Sequence, residues 1–123
     1  MVARQEAPWG YHEVIQQGSG FVLKRLVIQG GEAISLQLHR FRTEFWYVQS
    51  GHGRAIVRNG HFNVYPGGTV LIPPLTVHRL TNLHQDEPLV IIELQVGTPR
   101  EDDIVRLEDR YGREGNESRW EGR

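Results

Sequence analysis

The chain has 123 residues, 14 Lys and Arg against 15 Asp and Glu, and no cysteine. That length holds one domain with a real core, and the missing cysteine excludes a disulfide framework or thiolate metal site. The balanced charge lacks the basic excess of a nucleic-acid-binding face, and no apolar run reaches membrane-spanning length.

The first eight residues contain no apolar stretch resembling a secretion signal, so they read as a flexible N-terminal arm on a soluble, cytoplasmic protein. From Trp9 onward come short runs rich in Val, Ile, Leu and aromatics, each closed by turn residues. Residues 11–15 end at Gly18-Ser19-Gly20, 21–28 end at Gly30-Gly31, and 34–39 and 44–49 follow, the latter closed by Ser50-Gly51. Residues 53–58 and 61–65 flank Asn59-Gly60, a type I′ hairpin signal in which both central residues need positive φ. Residues 69–72 precede Pro73-Pro74, and 77–81 and 89–96 complete about nine strands. This close spacing predicts an all-β antiparallel barrel or sandwich spanning 9–113. Residues 102–109 are expected to form a short helix or turn, with Ile104 and Leu107 on one side. Residues 114–123 read as a polar, disordered tail.

The chemistry concentrates in two stretches. Gln37 and His39 lie two apart on a strand, so both leave the same face. Glu44 opens the next strand after a short turn, and His78 follows the rigid Pro73-Pro74 turn. Two imidazoles, a carboxylate and an amide form an N/O ligand set for one divalent metal ion: Zn first, with Mn, Fe, Co or Ni also acceptable. Four protein ligands leave room for water or substrate, as catalytic sites do.

These stretches resemble the paired motifs of the cupin superfamily. The first reads G-x5-H-x-H-x4-E-x6-G; Gly31, His39, Glu44 and Gly51 match, and Gln37 replaces the first His. The second reads G-x5-P-x-G-x2-H-x3-N; Gly67, Pro73, His78 and Asn82 match, and Leu75 replaces the glycine. A closer resemblance covers about residues 7–113. Pro8-Trp9-Gly10, Ser35-Leu36-Gln37, Arg42-Thr43-Glu44, His78-Arg79-Leu80 and Glu101-Asp102-Asp103-Ile104-Val105 are similar to the cupin domain of type II mannose-6-phosphate isomerases. The resemblance implies a cupin (jelly-roll) barrel and the ligand set Gln37, His39, Glu44 and His78. It also implies interconversion of mannose 6-phosphate and fructose 6-phosphate. Phe41 and Phe45 stand where the family usually has histidines, which puts the substrate rim and the activity in question.

Further residues are candidates by type and position. Lys24 and Glu93 are candidates for moving the proton, and Lys24 could also bind phosphate as a point charge. Arg42 and Arg79 flank metal ligands and could clamp a phosphate, although strand alternation turns Arg79 away from His78. Glu93 and Gln95 share one face of an otherwise apolar strand. His12, His52, His61 and His84 fall outside the motifs and read as surface or loop histidines. The expected partners are a small sugar phosphate and a second copy of the chain, the arm near Trp9 covering an exposed edge. A different metal-cupin enzyme, such as a dioxygenase or epimerase-like protein, and a non-catalytic sugar-binding module are the rival readings.

Overall fold

The computed structural model describes residues 3–116. Among them are twelve strands and no helix, so none that is long and apolar enough to cross a membrane. The strands are β1 (Ala3–Ala7), β2 (Gly10–Gly18), β3 (Phe21–Ile28), β4 (Leu36–Leu38), β5 (Arg42–Ser50) and β6 (Gly53–Val57). They continue with β7 (Gly60–Val64), β8 (Thr69–Ile72), β9 (His78–Asn82), β10 (Leu89–Gly97), β11 (Val105–Glu108) and β12 (Gly115–Asn116). Two six-stranded antiparallel sheets result, in the orders β1-β2-β3-β10-β5-β8 and β12-β11-β4-β9-β6-β7. The chain passes back and forth between the sheets, as a jelly roll requires.

Period-two alternation sorts the side chains. On β5, Arg42, Glu44, Trp46 and Val48 turn inward and are buried, while Phe45 and Tyr47 turn outward. On β10, Leu89, Ile91, Glu93 and Gln95 turn inward. One end of the interior is apolar, built from Ile28, Val48, Ile72, Leu80, Leu89 and Ile91. The other end is lined by buried Lys24, His39, Glu44, His78, Glu93 and Gln95. The register stacks these groups across strands: Lys24 faces Glu93, Glu44 faces Gln95, and Gln37 faces His78. Gly51 closes the β5–β6 corner at φ 93°, where a Cβ would lie 2.6 Å from the Pro88 carbonyl oxygen. Asn82, the last residue of the second motif, ties loops together by donating to the Ile28 and Glu87 carbonyls at 2.9 and 2.7 Å.

Four expectations are corrected. The N-terminal arm is not loose over Ala3–Ala7: it forms β1, paired residue for residue with β2, and the Arg4 guanidinium lies 3.5 Å over the Tyr11 ring. The edge it covers belongs to its own chain. Residues 105–108 form a strand, not a helix or turn, because Val105 and Arg106 complete a ladder with Leu38 and Gln37. In the tail, Gly115 and Asn116 pair with β11, and residues 117–123 lie outside the described residues. The β6–β7 hairpin turns one residue early: Val57 pairs with Gly60, and Arg58 takes positive φ, 56°. Leu75, at the motif's glycine position, is also left-handed (φ 61°), and its N–H donates to the His39 carbonyl at 2.7 Å. That bond fastens the loop before His78 to the corner that carries His39.

Candidate metal centre

His39, Glu44 and His78 converge inside the polar end, with one donor atom from each within 4.8 Å of the others. His39 Nε2 is 3.1 Å from Glu44 Oε2, and His78 Nε2 is 3.7 Å from Glu44 Oε1. The Gln37 amide joins them, 3.3 Å from His39 Nε2 and 3.5 Å from His78 Nε2. Its other end meets the Ser35 hydroxyl at 2.5 Å. A half-turn of the amide would present Oε1 to the imidazoles and Nε2 to Ser35 Oγ, which can accept. All four side chains foreseen as ligands are therefore brought together.

Both imidazoles are fixed in one tautomer. His39 Nδ1–H donates to the Asp103 carbonyl at 2.6 Å, and His78 Nδ1–H donates to the Thr76 carbonyl at 2.8 Å. Each Nε2 lone pair faces the centre, as metal-ligating histidines require, and that of His39 also lies 3.2 Å from Arg42 Nη2, which donates to it. Glu44 is 1% exposed, yet its Oε1 is buried without a hydrogen-bond partner. An orphaned carboxylate oxygen facing imidazole lone pairs is the donor set a divalent cation satisfies. The residues present therefore fit a metal ion.

Electrostatics point the same way. Burial, the Arg42 charge and His78 push the His39 imidazole down to about 3, so it is neutral and free to ligate. Burial alone would raise Glu44, but Arg42 and His78 outweigh it and hold the carboxyl below its ordinary value. Glu93 moves the other way: burial and then the Glu44 charge raise it. Its Oε2 accepts from Trp46 Nε1 at 3.0 Å and its Oε1 from Gln95 Nε2 at 2.8 Å.

The centre opens into a cavity of about 310 Å³ whose walls include Gln37, His39, Glu44, Lys24, Arg42, Glu93 and Gln95. Arg42 is buried beside the ligands: Nε donates to Glu44 Oε2 at 2.8 Å, and Nη1 donates to the Arg100 carbonyl at 2.9 Å. Lys24 is buried in the wall and ion-paired with Glu101. Arg79 is outside the cavity, a correction to its expected phosphate contact. Its guanidinium donates instead to the Ile34 and Glu108 carbonyls, because alternation turns it out where His78 turns in. Phe41 and Phe45 are 49% and 45% exposed and do not line the cavity. Phe45 belongs to the outer face of the sheet, and β4 ends before it could carry Phe41 inward.

Sequence reasoning missed several wall residues. His12, read as a surface or loop histidine, lies on β2 and lines the cavity. Arg106 and Arg113 line it as well, as do arm residues from Gln5 to Trp9. The alternation of Tyr11, His12 and Glu13 was a signal for His12, but nothing local revealed that β2 covers the cavity. The cross-strand partnership of Arg106 with Gln37 was invisible while β11 was read as helix or turn.

The family described as mannose-6-phosphate isomerase C-terminal matches residues 2–109. Among similar proteins, the mannose-1-phosphate guanylyltransferase RfbM of Salmonella typhimurium is 39% identical over 106 residues, 85% of this chain and 22% of RfbM. The alginate biosynthesis protein AlgA of Pseudomonas aeruginosa is 40% identical over 107 residues, 86% of this chain and 22% of AlgA. The chain thus spans about a fifth of the length of these curated relatives. In three dimensions it is similar to the cupin-2 domain Rru_A2000 of Rhodospirillum rubrum, with a TM-score of 0.69 and 20% identity over 83% of this chain and 78% of that one. With the jelly-roll topology and the four converging side chains, these matches make the chain a cupin that belongs to the mannose-6-phosphate isomerase C-terminal family.

Proposed function

We propose that the chain is a cytoplasmic, metal-dependent aldose–ketose isomerase that interconverts mannose 6-phosphate and fructose 6-phosphate. The observation that carries this reading is one cavity walled by Gln37, His39 and Glu44, which converge with His78 behind them, by Glu93, whose carboxyl burial raises, and by two cations, Arg42 and Lys24. The family's name supports the reaction. Zinc is the first candidate for the ion, given the His/Glu/Gln donors.

The reaction moves a proton between adjacent carbons and shifts the carbonyl by one carbon. A divalent ion held by the four ligands would supply a Lewis acid for the carbonyl. The chain's own residues supply the rest. Glu93 faces the cavity with its carboxyl fixed by Trp46 and Gln95, so it is placed to take the proton from one carbon and return it to the next. Arg42 sets positive charge beside the ligands, where an enediol oxygen gains negative charge. The apolar core under the cavity excludes water from one side.

A coupled assay on mannose 6-phosphate with metal-loaded protein tests this. Turnover on the order of ten per second, lost on chelation and in Glu93→Gln, is the expected result. Absence of turnover in protein with full metal content would sink the proposal. Because Phe41 and Phe45 lie outside the cavity, the double variant Phe41→His/Phe45→His should leave kcat within about twofold of the parent. A large gain would return those positions to the substrate rim.

A further inference from the structure

Lys24 is an ammonium in the wrong place for a surface lysine. It lies mid-strand on β3, 5% exposed, and its amine is paired with Glu101. The two partners are unequal: the Lys24 side chain is 6% exposed and that of Glu101 is 65% exposed. One is fixed in the cavity wall, and the other belongs to the turn after β10. A buried ammonium stripped of its counter-charge costs several kcal/mol, so some anion must remain on Lys24. Glu93 faces it in register with its carboxyl held by Trp46 and Gln95, but the ion pair Lys24 makes is with Glu101. Desolvation on the side facing the cavity would raise the Glu101 carboxyl, yet the Lys24 charge outweighs it and holds the carboxyl below its ordinary value. An exposed carboxylate loses little by turning back to water. His12 lines the same wall, and its imidazole feels both charges.

We propose that Lys24 is an anion-exchange site, where the phosphate of an entering sugar phosphate displaces the Glu101 carboxylate. Glu101 is then a built-in competitor that holds the place of the phosphate. A phosphate dianion brings more charge and three acceptor oxygens to the same ammonium, so it wins the exchange, whereas a neutral sugar cannot. Glu101 thereby sets the threshold between phosphorylated and free sugars. The ligand class rests on the sugar-phosphate reading above; the displacement itself rests only on the Lys24–Glu101 pair.

Calorimetric titration of the metal-loaded protein with inorganic phosphate and with mannose 6-phosphate tests the exchange. Removing the competitor in Glu101→Gln should tighten phosphate binding about fivefold to tenfold. Lys24→Met should weaken it at least tenfold, and the double variant Lys24→Met/Glu101→Gln, which restores charge balance, should bind no better than Lys24→Met. Circular dichroism and metal content show whether each variant is folded and loaded. Unchanged or weaker phosphate binding in Glu101→Gln overturns the competitor role. Tight binding in the double variant overturns Lys24 as the site. If the phosphate pattern holds but no isomerisation occurs, the isomerase reading fails and the anion site stands; if isomerisation occurs with phosphate binding indifferent to both residues, the reverse is true.

Discussion

Asp103 offers a sharp test of how the centre is held. It is 1% exposed and 64 residues distant in sequence from the histidine it positions. Its carbonyl receives His39 Nδ1–H, while its carboxylate accepts the Arg40 N–H at 2.9 and 3.2 Å and the Phe41 N–H at 2.9 Å. Asp103→Ala removes the acceptor from two backbone donors. A hydrogen bond to a charged group contributes about 1.5–3 kcal/mol, and the half-exposed Phe41 leaves one donor some recourse to water. The total cost is then roughly 3 kcal/mol. For a domain between the usual size classes, about 3–6 °C per kcal/mol makes this a fall of roughly 9–18 °C in Tm. The corner carrying His39 also loses its fixed position, so metal affinity should fall about 10- to 100-fold. Asp103→Asn keeps one carbonyl oxygen and should lie between the two. Thermal unfolding of metal-free protein and competition against a chromophoric chelator measure the two effects. A Tm within about 2 °C of the parent, or a lowered Tm with unaltered metal affinity, would refute the reasoning.

Purified protein should carry close to one first-row divalent ion per chain, and the double variant His39→Ala/His78→Ala should carry none; elemental analysis decides, and stoichiometric metal in that variant removes the assignment. The folded His39 imidazole titrates near 3 and the unfolded one near 6.5, so the unfolded chain takes up a proton that the fold refuses. This contribution is intact above pH 6.5 and lost as pH falls toward 3, costing metal-free protein about 2 kcal/mol by pH 5; urea midpoints equal at pH 7 and pH 5 would contradict it. We also propose a two-fold homodimer through the outer face at Phe45, Tyr47 and Leu71, which are 45%, 48% and 54% exposed. With Ile92 and Leu94 these form a groove without charged side chains, which a second copy can cover without burying a charge. Light scattering at micromolar concentration should give twice the chain mass, and Leu71→Glu should halve it; a monomeric parent protein defeats the idea.

What the sequence made legible follows from short-range rules. Alternation placed Gln37 with His39, turned Arg79 outward and assigned Phe45 to the face opposite Glu44. Gly and Pro punctuation located nine strands, all to within a residue or two except the end of β2, which runs three residues further. The remaining features depend on partners far along the chain. β1 is a strand because β2 offers it a ladder, and residues 105–108 are extended because β4 does; neither run announces this locally. Lys24 and Glu101 are 77 residues apart, and the Asp103 carboxylate caps a corner more than 60 residues upstream. Even the β6–β7 hairpin resisted its local signal. The ladder placed Gly60 in the strand and gave Arg58 the left-handed position that Asn59 and Gly60 were expected to share.

The polar half of the barrel interior has a cost that can be turned into an experiment. Lys24, Glu44, Glu93 and Gln95 occupy inward positions that leucine or methionine would fill in a purely structural barrel, and exchanging buried ionic groups for well-packed apolar ones often raises stability by about 1–4 kcal/mol. Unselected libraries screened only for heat resistance should therefore enrich apolar residues at these positions. Such survivors would keep the cupin barrel and lose what lines it, so a map of heat-resistant, inactive variants would trace the cavity without any ligand being known.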